Sequence, residues 1–464
     1  MFKTRFISML VLLAAVATGA VAQETYKVSV KEGTEDATNW TITPAEATTT
    51  GVAAGTEVKA TYNGTKKVKS VKAVKKKAPA TDLSMVDCAG TARTDGQWTA
   101  NCYMVHTAGD YKLPLVYGNA IKSGAANTAA YTGVSGSNTT ATFPRHDGEA
   151  IADPWIKNNG ITVTQAELLW QDAQGLVTAV GISGDYLTLT VGKDAAEQEG
   201  NALVAAKDAQ GTIVWSWHIW VTKQTFATLT TITVSDYGYK VTPVNLGWVG
   251  DATSGATGYC TFYQWGRKDA FIPSTGIGDD DGNGVNHTVY NINNNDVTTT
   301  AFTLIHENDV TIGDNIQHPT VHYRNISTNG PCNTRYYNMW DAQQTSTAEN
   351  TAAATVKTVY DPCPPGFCVP TFGLYNYIKT QYRPTFNAGY TYKGVFFPAS
   401  GERNYYYGYI DGVGTVDGVG TDGYYWSATP YNGTNSRYFY FTSSGWYLGP
   451  DYRFNGYPVR AVAE

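Results

Sequence analysis

The chain has 464 residues, a net charge of −6 and only 16% charged residues. That acidic balance gives no electrostatic reason to expect a nucleic-acid partner. The length exceeds what one core usually holds, so two to four domains are expected. The 47 Gly and 33 Tyr suit many short strands joined by tight turns. Aromatic side chains fit a pleated, half-buried surface and Gly supplies the positive φ that turns require, so a mainly β chain is expected.

Residues 1–22 read as an export signal. Lys3 and Arg5 precede an apolar run from Phe6 to Val16, and Ala20, Val21 and Ala22 form the cleavage site. The next residue is Gln23, whereas a lipoprotein needs cysteine there, and the first cysteine is Cys88. No later apolar run reaches the roughly 20 residues of a membrane-spanning helix. The expected location is extracellular or at the cell surface, without a membrane span after cleavage.

Residues 24–80 are expected to form a small β domain. Tyr26, Val28 and Val30 alternate with Lys27, Ser29 and Lys31, and Trp40 and Ile42 repeat that period. Val58, Ala60 and Tyr62 lead into Asn63 and Gly64, a strong hairpin signal, with a return strand through Val68 and Val71. The Lys66–Lys77 cluster reads as a solvated strand running into a linker, with a boundary near Pro79.

In residues 81–230 the clearest element is a strand pair, Ala202–Ala206 and Thr212–Val221, around a turn of Asp208, Ala209, Gln210 and Gly211. Alternation would bury Trp215, Trp217 and Ile219 and turn Ser216, His218 and Trp220 the other way. This GNALVAAKDAQGTIVWSWHIWVT segment follows NCYMVHTAGDYKLPLVYGN from Asn101 and AELLWQDAQGLV from Ala166. Together the segments resemble fimbrillin-family proteins, the pilin-like surface proteins of Bacteroidales-type bacteria. The resemblance implies a β-sandwich and, in assembly, strand addition between fimbrial subunits. The 24–80 unit is similar to the N-terminal repeats of surface proteins from the same bacteria.

Residues 231–464 carry YCTFYQWGRKDAF from Tyr259, RYYNMWDA from Arg335, DPCPPGFCVPT from Asp361 and GVFFPASGERN from Gly394. They continue with GYYWSATP from Gly423, RYFYF from Arg437 and YRFNGYPVRAVAE from Tyr452. In this order the pieces resemble the Fibrobacter succinogenes major paralogous domain, a C-type-lectin-like module of bacterial surface proteins. That resemblance implies an α+β domain with a short helix between Pro370 and Thr380, and a role in binding.

Six cysteines in an exported chain favour disulfides, with fifteen pairings open. Cys88 with Cys102, near in sequence, is the favoured pair, and Cys260, Cys332, Cys363 and Cys368 would pair among themselves. Cys363 and Cys368 have the spacing of half a zinc site, but no second half follows and Pro364, Pro365 and Pro370 stiffen the segment. Asp279, Asp281 and Asn283, beside Gly282 and Gly284, match the first half of a Ca2+ loop. The twelfth position is Tyr290, not Glu, so an acidic surface turn competes with the metal reading. No other cofactor is expected.

The EPN, QPD and WND signatures of calcium-dependent lectins are absent, so sugar binding would rest on aromatic faces. Candidates are Tyr405, Tyr406, Tyr407, Tyr409, Tyr431, Trp446 and Tyr447. Tyr431, Trp446 and Tyr447 are the expected ligand-binding positions, with Trp446 exposed beside Gly445. Tyr425, Trp426, Tyr438 and Tyr440 are expected to alternate into the core.

No catalytic residue is expected. Cys363 lies in the Cys-Pro motif, away from the chain end where formylglycine-generating relatives of the fold keep their reactive cysteines. His318 and His322 are interrupted by Pro319, and no HExxH, nucleophile elbow, Walker loop or dinucleotide fingerprint occurs. The expectation is a non-enzymatic, fimbrillin-like adhesin or fimbrial component with a C-terminal binding module, partnered by fimbrial subunits or surface glycans. The alternative is a soluble carbohydrate-binding, lectin-like protein.

Overall fold

The computed structural model describes residues 79–464 apart from 137, 251–258, 273–287, 307–309, 325–335, 346–351, 382–384 and 405–415. Upstream it describes short strands between Thr25 and Tyr62. The chain is mainly β, with three short α-helices among the described residues. It divides into two compact units, Met1–Ala80 and Thr81–Glu464.

In the first unit the alternating segments become antiparallel pairs. Trp40–Thr43 runs against Lys59–Tyr62, with Trp40 opposite Tyr62 and Ile42 opposite Ala60. Thr25–Tyr26 pairs with Val52–Ala53. The export segment and the Asn63–Gly64 turn lie outside the described residues.

The second unit opens with β1 (Thr81–Asp82), β2 (Cys102–Val105), β3 (Gly109–Pro114), β4 (Gln165–Gln171), β5 (Val177–Ser183), β6 (Tyr186–Val191), β7 (Gly200–Lys207) and β8 (Ile213–Val221). These form two four-stranded sheets, ordered β4-β7-β8-β2 and β5-β6-β3-β1. Leu168, Val204, Trp217 and Ile219 of one sheet join Leu113, Leu187 and Leu189 of the other in a single apolar cluster, in the manner of a β-sandwich.

The β7–β8 hairpin shows how local chemistry fixes register. Asp208 Oδ1 accepts hydrogen bonds from the backbone N–H groups of Gln210 at 2.9 Å and Thr212 at 2.8 Å. Gly211 takes φ +86°, which a side chain would resist. The strands then pair from Gly200 opposite Val221 to Ala206 opposite Trp215.

Ser216, His218 and Trp220 do alternate with Trp215, Trp217 and Ile219, yet all six are buried. The second face of β8 is covered by residues beyond 230. Trp220 Nε1 donates to the Trp248 carbonyl at 3.0 Å, and Ser216 Oγ donates to Asp269 at 2.5 Å. The same apolar cluster continues through Leu246, Phe262, Trp265, Trp340, Val359 and Trp426, so one core serves the segments on both sides of residue 230.

The later strands of the two larger sheets are β9 (Thr230–Val234), β10 (Tyr237–Val241), β11 (Tyr263–Gln264), β12 (Phe367–Cys368), β13 (Ser400–Arg403), β14 (Val416–Val419), β15 (Asp422–Pro430), β16 (Asn435–Thr442), β17 (Gly445–Tyr452), β18 (Gly456–Tyr457) and β19 (Val462–Ala463), beside the short two-stranded pairs Thr303–His306 with Val321–Arg324 and Gly389–Tyr392 with Val395–Pro398. One sheet is ordered β9-β10-β19-β12. The larger runs β11-β18-β13-β15-β16-β17, with β14 beside β13.

The helices are α1 (Thr298–Ala301), α2 (Ile312–Gln317) and α3 (Phe372–Thr380). The first backbone N–H of α3 donates to Thr429 Oγ1 at 3.0 Å, which ties it to β15. Its Phe372, Leu374, Tyr375 and Ile378 pack with Tyr425, Phe439, Phe441 and Trp446 in a second apolar cluster beneath the sheet.

The Asp361 motif acts as a bracket between these parts. The buried Asp361 carboxylate accepts from the backbone N–H of Cys363 at 2.7 Å and of Val369 at 2.9 Å. Asn101 Nδ2 reaches across to donate to the carbonyls of Val359 and Asp361 at 2.6 and 2.8 Å.

Candidate functional site

Strand alternation gives the C-terminal sheet two unlike faces. On β16, Phe439 and Phe441 turn toward α3, and Tyr438 and Tyr440 turn the other way. Register continues the division into neighbouring strands: Tyr440 lies opposite Tyr424 on β15 and opposite Tyr447 on β17. Four phenol rings thus form a row across the outer face. Centroids are 5.4 Å apart from Tyr447 to Tyr440, 4.7 Å from Tyr440 to Tyr424, and 5.0 Å from Tyr424 to Tyr457.

The row rises from the interior to solvent. Tyr457 is fully buried, Tyr424 and Tyr440 are half-buried, and Tyr447 is 47% exposed. Tyr438 stands beside the row, its ring 6.2 Å from that of Tyr424 and 11° from parallel. Gly449, its partner on β17, contributes no side chain against that ring. On the inner face Gly423 is required for packing, because a Cβ there would lie 2.1 Å from the Phe441 ring.

Carboxylates edge the aromatic row. Tyr440 Oη donates to Asp422 Oδ1 at 2.7 Å, and Tyr457 Oη donates to Asp451 Oδ2 at 2.6 Å. Burial, and then the Asp422 carboxylate, push the Tyr440 phenol above its ordinary range. Burial, and then the charge of Glu402, do the same to Tyr424. Burial raises Asp451, opposed by the Tyr457 hydrogen bond. Tyr440 and Tyr424 therefore stay neutral, while Asp422 and Asp451 place carboxylate oxygens at the margin of the row. Such a face can stack on the C–H side of a sugar ring and accept hydrogen bonds from its hydroxyls.

The expected positions fall in different places. Tyr447 is in the row. Tyr431 is 38% exposed at the start of the turn after β15, under the Arg437 guanidinium at 4.3 Å. Trp446 is not exposed as expected but 9% accessible. It points toward α3 by alternation with Tyr447 and packs against Tyr390 at 5.2 Å and Phe439 at 5.7 Å. Tyr438 and Tyr440, expected in the core with Tyr425 and Trp426, are on the outer face. Tyr405, Tyr406, Tyr407 and Tyr409 lie outside the described residues, as do Asp279, Asp281 and Asn283.

The cysteine expectation is also corrected. The five described cysteines, Cys88, Cys102, Cys260, Cys363 and Cys368, are buried free thiols. Cys88 Sγ faces the Pro365 carbonyl at 3.6 Å instead of bonding to Cys102. Burial pushes the Cys88 thiol up to about 12 and Cys260 up to about 11, so neither is poised as a thiolate.

Two polar clusters have the residue types of catalysis. Lys268 Nζ donates to Asp269 Oδ1 at 2.6 Å, Ser216 Oγ at 2.5 Å and the Ser216 carbonyl at 3.2 Å. All three N–H groups of the ammonium are committed, which leaves no lone pair to accept a proton from Ser216. His218 is fully buried, with Nε2 2.9 Å from Asn201 Oδ1, and burial lowers it to about 3. His318 and His322 do not converge: His318 ends α2, and His322 is buried on the Val321–Arg324 strand.

Among the described residues no group of three or more His, Cys, Asp and Glu is placed to hold a metal ion. No helix among them is long and apolar enough to cross a membrane. No family model, curated protein or solved structure matches the chain.

Proposed function

We propose that the chain is an exported, non-enzymatic adhesin of fimbrillin-like type that presents the outer face of its C-terminal sheet to surface saccharides. The observation that carries this reading is the continuous row Tyr447, Tyr440, Tyr424 and Tyr457, edged by Asp422 and Asp451. Stacked rings on a sheet lose little freedom when a flat ligand settles on them, so they favour binding at low entropic cost.

The export-like sequence of residues 1–22 and the resemblance to fimbrillin and lectin-like surface modules support a reading in which the chain acts outside the cell. Rigid sheets beneath the face serve as framework, and recognition lies on their solvent side.

A saccharide array probed with the full secreted chain tests the reading. Selective binding is expected, lost in Tyr447→Ala and kept in Tyr452→Ala, whose exposed ring projects from the opposite side of β17. Equal loss in both variants, or no saccharide bound by the wild type, refutes it.

A further inference from the structure

Strand alternation sorts the charges of the C-terminal sheet by face. On β13, Arg403 turns toward Phe271 and Phe302, its guanidinium carbon 5.4 and 5.9 Å from their ring centres. The charge of the neighbouring Glu402 acts instead on Tyr424, Tyr438 and Tyr457. On β16, Arg437 sits over Phe372 of α3 at 5.6 Å and over Tyr431 at 4.3 Å, and the next residue, Tyr438, faces outward beside the row. Asp422 and Asp451 are half-buried on that outer side, where they accept from Tyr440 and Tyr457. The tyrosine face is thus edged by acids, and the cations of its strands turn away from it.

The sequence repeats this imbalance. Residues 404–452 contain four Asp, one Arg and no Lys or His. The donors to the two half-buried carboxylates are all neutral: Tyr440 and Thr421 for Asp422, Tyr457 and the backbone N–H of Tyr452 for Asp451. Among the described residues neither carboxylate has an ion-pair partner. Two negative charges without a counter-charge therefore flank rings whose π faces are themselves electron-rich. An ammonium group at this edge is attracted both by the ring faces and by the carboxylates, and a ligand carboxylate is repelled by the same charges.

We propose that the tyrosine row selects saccharides carrying a free amino group, with the sugar ring on Tyr447 and Tyr440 and the ammonium group directed to Asp422. This inference rests on the saccharide reading given above and adds the charge of the ligand to it. Asp422, tied to Tyr440, stands beside the solvent end of the row, and Asp451, tied to the buried Tyr457, acts from farther in. Acetylation of the amine removes the charge and with it the preference.

The test measures binding of the full chain to matched oligosaccharides of gluco and galacto configuration, each with an amine, an acetamide or a hydroxyl at the 2-position. The amine form should bind about tenfold or more tightly than the other two. That margin should shrink in about 0.5 M NaCl, where screening reaches roughly 4 Å, and should fall below about threefold in Asp422→Asn. Tri-lysine, which carries the charge without the sugar ring, should bind more weakly than the amino sugar. Equal or tighter binding of the acetylated or hydroxyl forms overturns this inference and leaves the saccharide-binding face standing. Tighter binding of tri-lysine also overturns it, in favour of a basic peptide, and no binding of any saccharide overturns both readings. The wild-type series decides the matter even if the variant does not fold.

Discussion

Tyr440 and Tyr447 stand directly opposite one another on neighbouring strands, with ring centres 5.4 Å apart and planes 29° from parallel. The pair joins the half-buried aromatic row to solvent, and its outer member belongs to the edge strand of the sheet. Replacing Tyr447 by Ala should lower saccharide affinity at least tenfold. Stability should fall by about 1 kcal/mol or less, because an exposed cross-strand aromatic pair contributes no more than that. Tyr447→Phe should retain most of the affinity. Binding isotherms and urea melts on the three proteins check this.

Its neighbour behaves in the opposite way. Trp446 is enclosed by Tyr390 and Phe439, so Trp446→Ala should cost about 3–5 kcal/mol in urea unfolding. A loss below about 1 kcal/mol would mean that the β17 register is shifted by one residue, which would bring Trp446 to the surface and carry Tyr447 inward.

The packing of Gly118 against Val359 offers a test of the shared core. Gly118 has φ +41°, and a Cβ there would lie 2.3 Å from the Val359 carbonyl oxygen. Gly118→Ala should destabilise by about 2 kcal/mol or more, through both backbone strain and overlap. The loss should appear in a single cooperative transition covering residues 81–464. Two separate transitions, with only the earlier one shifted, would contradict the shared core.

His218 gives a pH dependence of defined sign. Burial holds its folded value at about 3, below the 6.5 of an unperturbed imidazole. The unfolded chain therefore takes up a proton first. The stability gained from keeping His218 neutral is present above pH 6.5 and is lost as pH falls from there toward 3. At pH 4.5 the loss should be about 2–3 kcal/mol. His218→Gln, which can still donate to Asn201, should show a correspondingly shallower decline in urea melts over that window.

The β-rich character and the β7–β8 hairpin were legible because each rests on local chemistry, whereas the helix after the Cys-Pro motif was expected only from the family resemblance. Gly211 and Asp208 specify their turn within four residues. The burial of Ser216 and His218 was not legible, since it depends on Asp269, Trp248 and their neighbours, which arrive from later in the chain. The outer tyrosine row was in principle readable from Tyr438-Phe439-Tyr440-Phe441, where Phe and Tyr alternate with the period of a strand. Phe439 and Phe441 take the side packed on α3 and leave Tyr438 and Tyr440 the other, and Gly445 beside Trp446 does not by itself expose the indole, which the strand alternation turns inward.

The most direct test of the saccharide-binding face is a titration of the ring-labelled tyrosines, followed by NMR, with saccharides selected on the array. Shifts at Tyr440 and Tyr447, with Tyr375 and Tyr425 on the inner side unmoved, are the predicted result. Shifts confined to Tyr431 and Tyr452, or no shift with any saccharide, would contradict the assignment of the binding face.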